Sequence, residues 1–412
     1  MEFFEELGAA IETQWNDRRR DLRAWPEIAA RAIAEARPSD HVTMPDVLEW
    51  AVRAARLPRQ MDPAGNFGQP PITVYAGPHF YIDVLFWIDG ILTIHQHAFS
   101  GAFHVLAGSS LHSTYHFETT SRLSETMLAG RLSLERAEYL ARGDTRPIES
   151  GQRLIHSLFH LDRPSATVVV RTVLDEGSSP QYEYRLPGLA LVGTENLGTG
   201  RIELVRRLQA IDALHAIDPH HYVATLRSFL AGCDAEWVFR ALDRSLLNGW
   251  LTQEQFDALL DDARPRLGAL VDLLHEVFEE TLRTSSINRR RAAVHEPRHR
   301  DFLALLLNLS GRRTILDFVA RRYPGNPVDV VMGWIEELST HRLADGDRPN
   351  VLDVDLDDAA LLVLRCLVDG LSWDALKDRL RDEFEDVDAQ EDGVRELCAA
   401  FRSSRVFRSL LA

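Results

Sequence analysis

The chain has 412 residues, 45% of them apolar and 26% charged, with a formal net charge of −16. That length allows two or three domains and at least one substantial core, and the acidic balance argues against nonspecific nucleic-acid binding, because a phosphate backbone wants a basic surface. Three scattered cysteines (Cys233, Cys366, Cys398) make no disulfide framework, no run of about 18 apolar residues offers a membrane span, and the acidic start Met1-Glu-Phe-Phe-Glu-Glu6 lacks a signal peptide's basic flank, so a cytoplasmic protein is expected.

Residues 1–60 read as a helical segment. Phe3, Phe4, Leu7, Ile11 and Trp15 recur at helical spacing, and Met44-Pro45-Asp46 opens a further helix carrying Val47, Leu48, Trp50, Ala51 and Ala54. From 70 to 192 the texture changes to short β-like runs over 72–76, 80–87, 92–97, 102–106, 112–117, 155–159, 167–174 and 182–186, separated by Gly, Pro, Asp and Ser clusters. Asp89-Gly90, between the second and third runs, predicts a type I′ hairpin turn. Residues 133–142 read as one interrupting helix with Ser133 as its cap. Many short strands with few helices point to a sandwich or barrel.

Residues 200–412 read as helical throughout, with starts at Asp218-Pro219, at the capping box Thr252-Gln-Glu-Gln255 and at Asn326-Pro327. The basic stretch from Arg289 to Arg300 reads as a solvated helix-to-loop region. The fold class expected is therefore α+β: N-terminal helices, a central antiparallel β-barrel over 70–192, and a separate all-α domain over 200–412.

Eight of the sixteen histidines fall between positions 79 and 160. Within that cluster His95-Gln96-His97 stands out, because residues i and i+2 of a strand share a face and would project both imidazoles together. Two imidazoles on one wall are two of the three ligands of a facial transition-metal site. His156 and His160, about sixty residues on, are candidates for the third. His104, His112 and His116 read as strand-surface or supporting residues. The chain carries no phosphate-binding glycine loop, no Gly-x-Ser-x-Gly elbow and no His-Glu-x-x-His.

At these residues the chain resembles the cupins. Ile94-His95-Gln96-His97 followed by Gly101 and Gly108 is similar to the first cupin motif, and Gly151-Gln-Arg-Leu-Ile-His156 is similar to the second, in which a glycine-led turn precedes the third histidine. The resemblance covers roughly residues 72–190 and implies a double-stranded β-helix barrel with His95, His97 and His156 as metal ligands. Many cupins carry a glutamate four or five residues after the second histidine. Here those positions are Gly101 and Ala102, and no carboxylate follows until Glu118.

Cupins lacking that glutamate include the cysteine and other thiol dioxygenases, which hold Fe(II) with three neutral histidines. The resemblance is closest to that branch, and it implies a non-haem iron dioxygenase or oxygenase. The Cys–Tyr crosslink of some such enzymes has no cysteine to draw on within this stretch.

Three neutral imidazoles would leave a divalent ion its full charge, which favours an anionic ligand such as a thiolate or carboxylate beside dioxygen. A three-histidine set equally suits Zn(II) or another divalent transition metal. His160 would support the site as a donor or proton shuttle. Arg171 and Arg153 are candidates to clamp an anionic substrate, and any of Tyr75, Tyr81, Tyr115, Tyr182 and Tyr184 would bring a phenol near the metal.

The expected partners are a small-molecule substrate and dioxygen, with neither nucleic acid nor membrane, and the C-terminal helices offer a surface for a homodimer contact or a protein partner. Two alternatives stand beside the iron enzyme: a zinc-dependent cupin isomerase or hydrolase, and a non-catalytic ligand-binding module that signals through its helical domain.

Overall fold

The computed structural model describes residues 1–61, 67–88, 93–193, 202–342, 350–384, 387 and 390–412. The β-rich stretch forms strands β1 (Pro71–Ala76), β2 (Phe80–Trp87), β3 (Ile94–His95), β4 (Gly101–Ala107), β5 (Ser110–Arg122), β6 (Met127–Leu140), β7 (Thr145–Ile148), β8 (Ile155–His160), β9 (Ser165–Thr172), β10 (Tyr182–Arg185) and β11 (Leu189–Val192). They make a five-stranded sheet in the order β1-β2-β9-β4-β7, and a six-stranded one that closes on itself in the order β10-β11-β6-β5-β8-β3. Every strand pairing is antiparallel.

The strands β2 to β9, counted 1 to 8 in chain order, lie as 1-8-3-6 in one sheet and 2-7-4-5 in the other. That order is a jelly roll, the double-stranded β-helix. The fold is thus α+β: an antiparallel barrel with N-terminal helices and a C-terminal all-helical region.

Strand alternation sorts the side chains of the five-stranded sheet between two different environments. Phe80, Ile82, Val84 and Phe86 of β2, Ala102 and Leu106 of β4, and Ala166, Val168 and Val170 of β9 share a core with the N-terminal helices. These helices are α1 (Glu2–Asp17), α2 (Trp25–Ala36), α3 (Pro38–His41) and α4 (Met44–Arg53). The alternate residues Leu85, Trp87, Phe103, Val105 and Val169 form a second cluster with Phe99, Leu140 and Ile148. Because both faces are covered, all eight residues of β2 are buried, and that is why β2 is apolar on both faces apart from Asp83.

The chain divides into two compact units, Met1–Glu280 and Thr281–Ala412. The first includes α5 (Ile202–Ile217), α6 (Pro219–Leu230), α7 (Ala235–Leu247), α8 (Gln253–Asp261), α9 (Arg264–Leu267) and the first part of α10 (Leu270–Ala293). These helices share a core with the six-stranded sheet, in which Leu208, Tyr222, Phe239 and Phe278 meet Phe117, Leu128 and Leu191. A buried ion pair adds polar ties. The Glu236 carboxylate accepts hydrogen bonds from Ser124 at 2.6 Å and Thr126 at 2.7 Å, and Arg240 donates to Glu236 at 2.9 Å and to the Val192 carbonyl at 2.7 Å.

In the second unit the basic stretch is solvated only in part, with Arg289, His295 and Arg298 exposed as expected. Arg290, Arg291, His299 and Arg300 are buried, because their polar heads have local partners. Arg290 donates to the Val351 carbonyl at 2.7 Å, and Arg291 and Arg300 bond each other's backbone carbonyls at 3.2 and 2.8 Å. A guanidinium with five donors can be taken inside when carbonyls meet it.

Two further expectations are corrected. Residues 133–142 are not a helix: up to Leu140 they belong to β6, paired along β5 from Ser110↔Leu140 to Arg122↔Leu128. Their helical propensity is weaker than this long cross-strand ladder. The runs on either side of Asp89-Gly90 do not pair as a hairpin either. β2 lies between β1 and β9, whereas β3 lies in the other sheet between β10 and β8. The predicted turn itself lies outside the described residues.

His104, on β4 and 1% exposed, bonds Thr145 Oγ1 through Nδ1 at 2.8 Å, and burial holds its pKa down to about 4. In the unfolded chain the same group titrates near 6.5. Protons therefore bind the unfolded state preferentially between those values, and the stability His104 contributes is present above pH 6.5 and lost as pH falls toward 4. Urea unfolding at pH 7 and pH 4.5 is expected to show a smaller loss of stability for His104→Gln than for the wild type. Equal losses would show that His104 does not titrate in this way.

Candidate metal centre

The two sheets enclose a cavity of about 90 Å³, room for several water-sized groups. His95 closes β3, and His97 follows in an isolated bridge to Ser150. Gln96 points the other way. It donates to Ser179 at 2.8 Å and to the Pro180 carbonyl at 2.7 Å, and it accepts from the Tyr184 hydroxyl at 2.5 Å. The residue between the two histidines thus anchors the segment leading to β10 while its neighbours face the cavity.

His156 enters from β8 as the cross-strand partner of His95. The turn before it needs a glycine, since Gly151 sits at φ +69° and its amide bonds the His97 carbonyl at 2.7 Å.

One ring nitrogen from each of His95, His97 and His156 lies within 4.8 Å of the others, and all three residues are buried. Burial is the main cause that pushes His95 down to about 4 and His97 and His156 well below the ordinary histidine range. All three are therefore neutral at pH 7, the protonation state a metal ligand requires.

His95 Nδ1 meets the Thr93 carbonyl at 3.1 Å, which makes Nδ1 the donor and leaves Nε2 with its lone pair. That Nε2 is buried without a hydrogen-bond partner among the described residues. His97 Nε2 and His156 Nε2 face each other at 2.9 Å. Two neutral imidazoles cannot both keep lone pairs at that distance unless a proton or a cation lies between them. The donor set accordingly fits a divalent transition metal.

Among the described residues no carboxylate joins the three rings, and at the positions just after His97 the backbone explains why. Gly101 pairs with Arg171 across β4 and β9, and a Cβ at Gly101 would lie 1.9 Å from the Val170 carbonyl oxygen. Ala102 faces the N-terminal helices instead. Neither position can bring an acidic side chain to the cavity.

Arg171 and His160 both line the cavity. The Arg171 guanidinium lies 3.3 Å from the centre of the Phe99 ring and 5.3 Å from that of Tyr81, a cation held by aromatic faces. Its charge helps to depress the His97 pKa. His160 stacks on Trp87 at 4.5 Å and meets Ser110 Oγ through Nδ1 at 3.2 Å.

Other candidates fall away. Arg153 is exposed and bonds Ser150 and Glu149, and none of the five tyrosines lines the cavity. Strand alternation turns Tyr184 away, to Gln96, while Tyr81 shares the inward face of β2 but lies against Arg171.

Asp83 and Glu138, which the sequence did not mark, also matter here, as does His112, expected only as a strand-surface or supporting residue. Asp83 places a buried carboxylate in the cavity wall, where it accepts from Thr73 Oγ1 at 2.7 Å. His112 Nε2 meets His156 Nδ1 at 3.0 Å, and His112 Nδ1 meets Glu138 at 3.1 Å. Glu138 in turn accepts from Arg146 at 2.9 and 2.8 Å and from Arg136 at 3.0 Å. Hydrogen bonds from His112 and Arg146 hold the Glu138 carboxyl well below the usual carboxylate range. The only sequence signal for this chain of contacts is the unusual density of histidines.

No known family's sequence model matches the chain, and no curated protein matches it. Among solved structures, it is similar to the DMSP lyase DddQ from Ruegeria pomeroyi DSS-3, with 18% identity over 30% of this chain and 47% of that one, less than half its length, at a TM-score of 0.18. A second likeness is to an uncharacterized conserved protein with a double-stranded beta-helix domain from Klebsiella pneumoniae subsp. pneumoniae MGH 78578, with 15% identity over 34% of this chain and 93% of that one, also at a TM-score of 0.18. At such scores neither likeness bears on the argument; the fold rests on strand order and the site on its geometry. Among the described residues no helix is long and apolar enough to cross a membrane.

Gly101→Ala is expected to force β4 and β9 apart. A drop in unfolding free energy of about 2–3 kcal/mol, the upper part of the overpacking range, should appear in urea denaturation. Wild-type stability in this variant would show that the close approach is not required.

Proposed function

We propose that the barrel is a mononuclear non-haem Fe(II) oxygenase of the dioxygenase type, with His95, His97 and His156 as neutral ligands and a small anionic or thiol-bearing substrate. The observation that carries this reading is the convergence of three buried, neutral imidazoles beside Arg171, with neither Gly101 nor Ala102 able to supply an acidic ligand. When bound, ferrous iron supplies open coordination positions and the electrons for dioxygen chemistry.

The chain's own residues do the rest. Arg171 binds and orients the substrate anion through charge-assisted hydrogen bonds, with its guanidinium kept in place against Phe99. Trp87, Phe99 and Phe103 give the cavity an apolar wall. His160, braced between Trp87 and Ser110, offers a proton donor or acceptor inside the wall.

The same donor set favours a second reading, a zinc-dependent isomerase or hydrolase, since three histidines and an open position are a familiar catalytic zinc arrangement.

Metal content of the wild type and His95→Ala, both purified without added metal or chelator, separates these readings. Near-stoichiometric iron in the wild type, lost in the variant, is the expected result. Zinc at that level would move the chemistry to isomerisation or hydrolysis. No metal in either, even after anaerobic loading with iron, would leave a ligand-binding module.

For the iron enzyme, oxygen consumption with small thiols and carboxylates should show Arg171→Met raising KM about tenfold to a hundredfold, the equivalent of a lost charge-assisted hydrogen bond of roughly 1.5–3 kcal/mol. An unchanged KM would remove Arg171 from substrate binding.

A further inference from the structure

We propose that Glu138 and His112 form a relay that fixes the tautomer of His156 and thereby prepares it as a metal ligand. The relay crosses neighbouring strands. His156 lies on β8, His112 on the adjacent β5, and Glu138 is the cross-strand partner of His112 on β6. Arg146, on β7, closes it from the far side.

The hydrogen-bond logic runs inward from the carboxylate. Ionised Glu138, gripped by Arg146 and Arg136, can only accept, so His112 must donate to it from Nδ1. With its ring proton on Nδ1, His112 presents a lone pair at Nε2, and His156 donates to it from Nδ1 across 3.0 Å. The consequence at the far end of the His156 ring is an Nε2 lone pair directed to the cavity, toward His97 Nε2 at 2.9 Å. A carboxylate two groups away thus selects which nitrogen of His156 meets the ion. The arrangement lengthens by one imidazole the carboxylate–histidine pair common behind metal ligands.

Burial makes this selection matter. Side-chain exposure is 4% for His112 and 15% for Glu138, so water does not readily replace the lost partner if either is removed. Phe103 packs against His112 and His156, with ring centres 5.6 and 6.2 Å away, and limits how far either ring can turn. The role assigned to His112 and Glu138 is positioning, exerted through His156.

This inference rests on the metal-site reading above, and the experiment separates the two. Long-range ¹H–¹⁵N spectra of the metal-free protein report the tautomer of His156, and cobalt(II) titration against a competing chelator reports affinity. Wild type is expected to hold His156 with its proton on Nδ1. Glu138→Gln replaces an obligate acceptor with a group that can donate to His112 Nδ1; it is expected to shift His156 toward the Nε2-protonated form and to weaken cobalt binding about 10- to 100-fold. His112→Phe should weaken binding to a similar degree and alter the cobalt d–d spectrum, while circular dichroism shows both variants folded.

Glu138→Asp, which keeps the acceptor, is expected to recover most of the affinity. Affinities of Glu138→Gln and His112→Phe within twofold of wild type, or a wild-type His156 protonated on Nε2, would overturn the relay. A wild type that binds no cobalt would instead count against the metal-site reading. The tautomer measurement needs no metal and would still decide the relay.

Discussion

Desolvation of three imidazoles is the constraint around which the barrel is arranged. A histidine removed from water gives up its charge before it gives up its place in the fold, so the interior between the two sheets holds His95, His97 and His156 as neutral donors. Packed this closely, His97 and His156 share one proton between their Nε2 atoms, and His95 Nε2 has no hydrogen-bond partner among the described residues. Such a site is costly to maintain and suited to a cation. The lining sets one guanidinium, Arg171 on an aromatic wall, against one carboxylate, Asp83, so a divalent ion on the three imidazoles would leave the cavity net positive. An anion completes that balance better than a neutral ligand would.

The barrel supports this interior by giving each face of the five-stranded sheet a separate task. Outward-facing residues of β2, β4 and β9 are spent on the N-terminal helices, and their alternates line the cavity. The six-stranded sheet is covered by helices between Ile202 and Phe278 in the same way. With both sheets backed by helices, inward positions are free to carry polar groups at little risk of flooding. The close approach at Gly101 shows how far the backbone itself takes part: what another chain would use as a ligand position is here occupied by the Val170 carbonyl. The donor set is therefore limited by backbone packing as well as by side-chain identity.

Behind the cavity, polar groups are met by polar groups across strand after strand. His156, His112, Glu138 and Arg146 lead from the interior toward the edge of the sheets, each with a partner on either side. The compact unit Thr281–Ala412 solves a related problem differently. Its buried arginines are satisfied chiefly by backbone carbonyls, as where Arg291 and Arg300 bond each other's main chains.

By itself the sequence determined the α+β composition, the β-rich middle and the identity of the three clustered histidines. Local physics suffices for these: period-2 runs broken by glycine and proline, helix caps such as Thr252 and Asn326, and a His-x-His pair that any strand would display on one side. It also marked His160 and Arg171, both of which line the cavity.

Only the tertiary structure decided what lies across from what. Residues 133–142 look helical in isolation and become strand because β5 supplies a ladder along their length. Arg290, Arg291 and Arg300 look solvated and are buried because backbone carbonyls receive them, that of Val351 lying far along the chain from Arg290. Asp83, His112 and Glu138 carry no motif, since their significance lies in register: Glu138 matters because it faces His112, and His112 because it abuts His156. Cross-strand neighbours separated by tens of residues leave no periodic trace, and so a chain of contacts running through the sheet becomes visible only once the strands are paired.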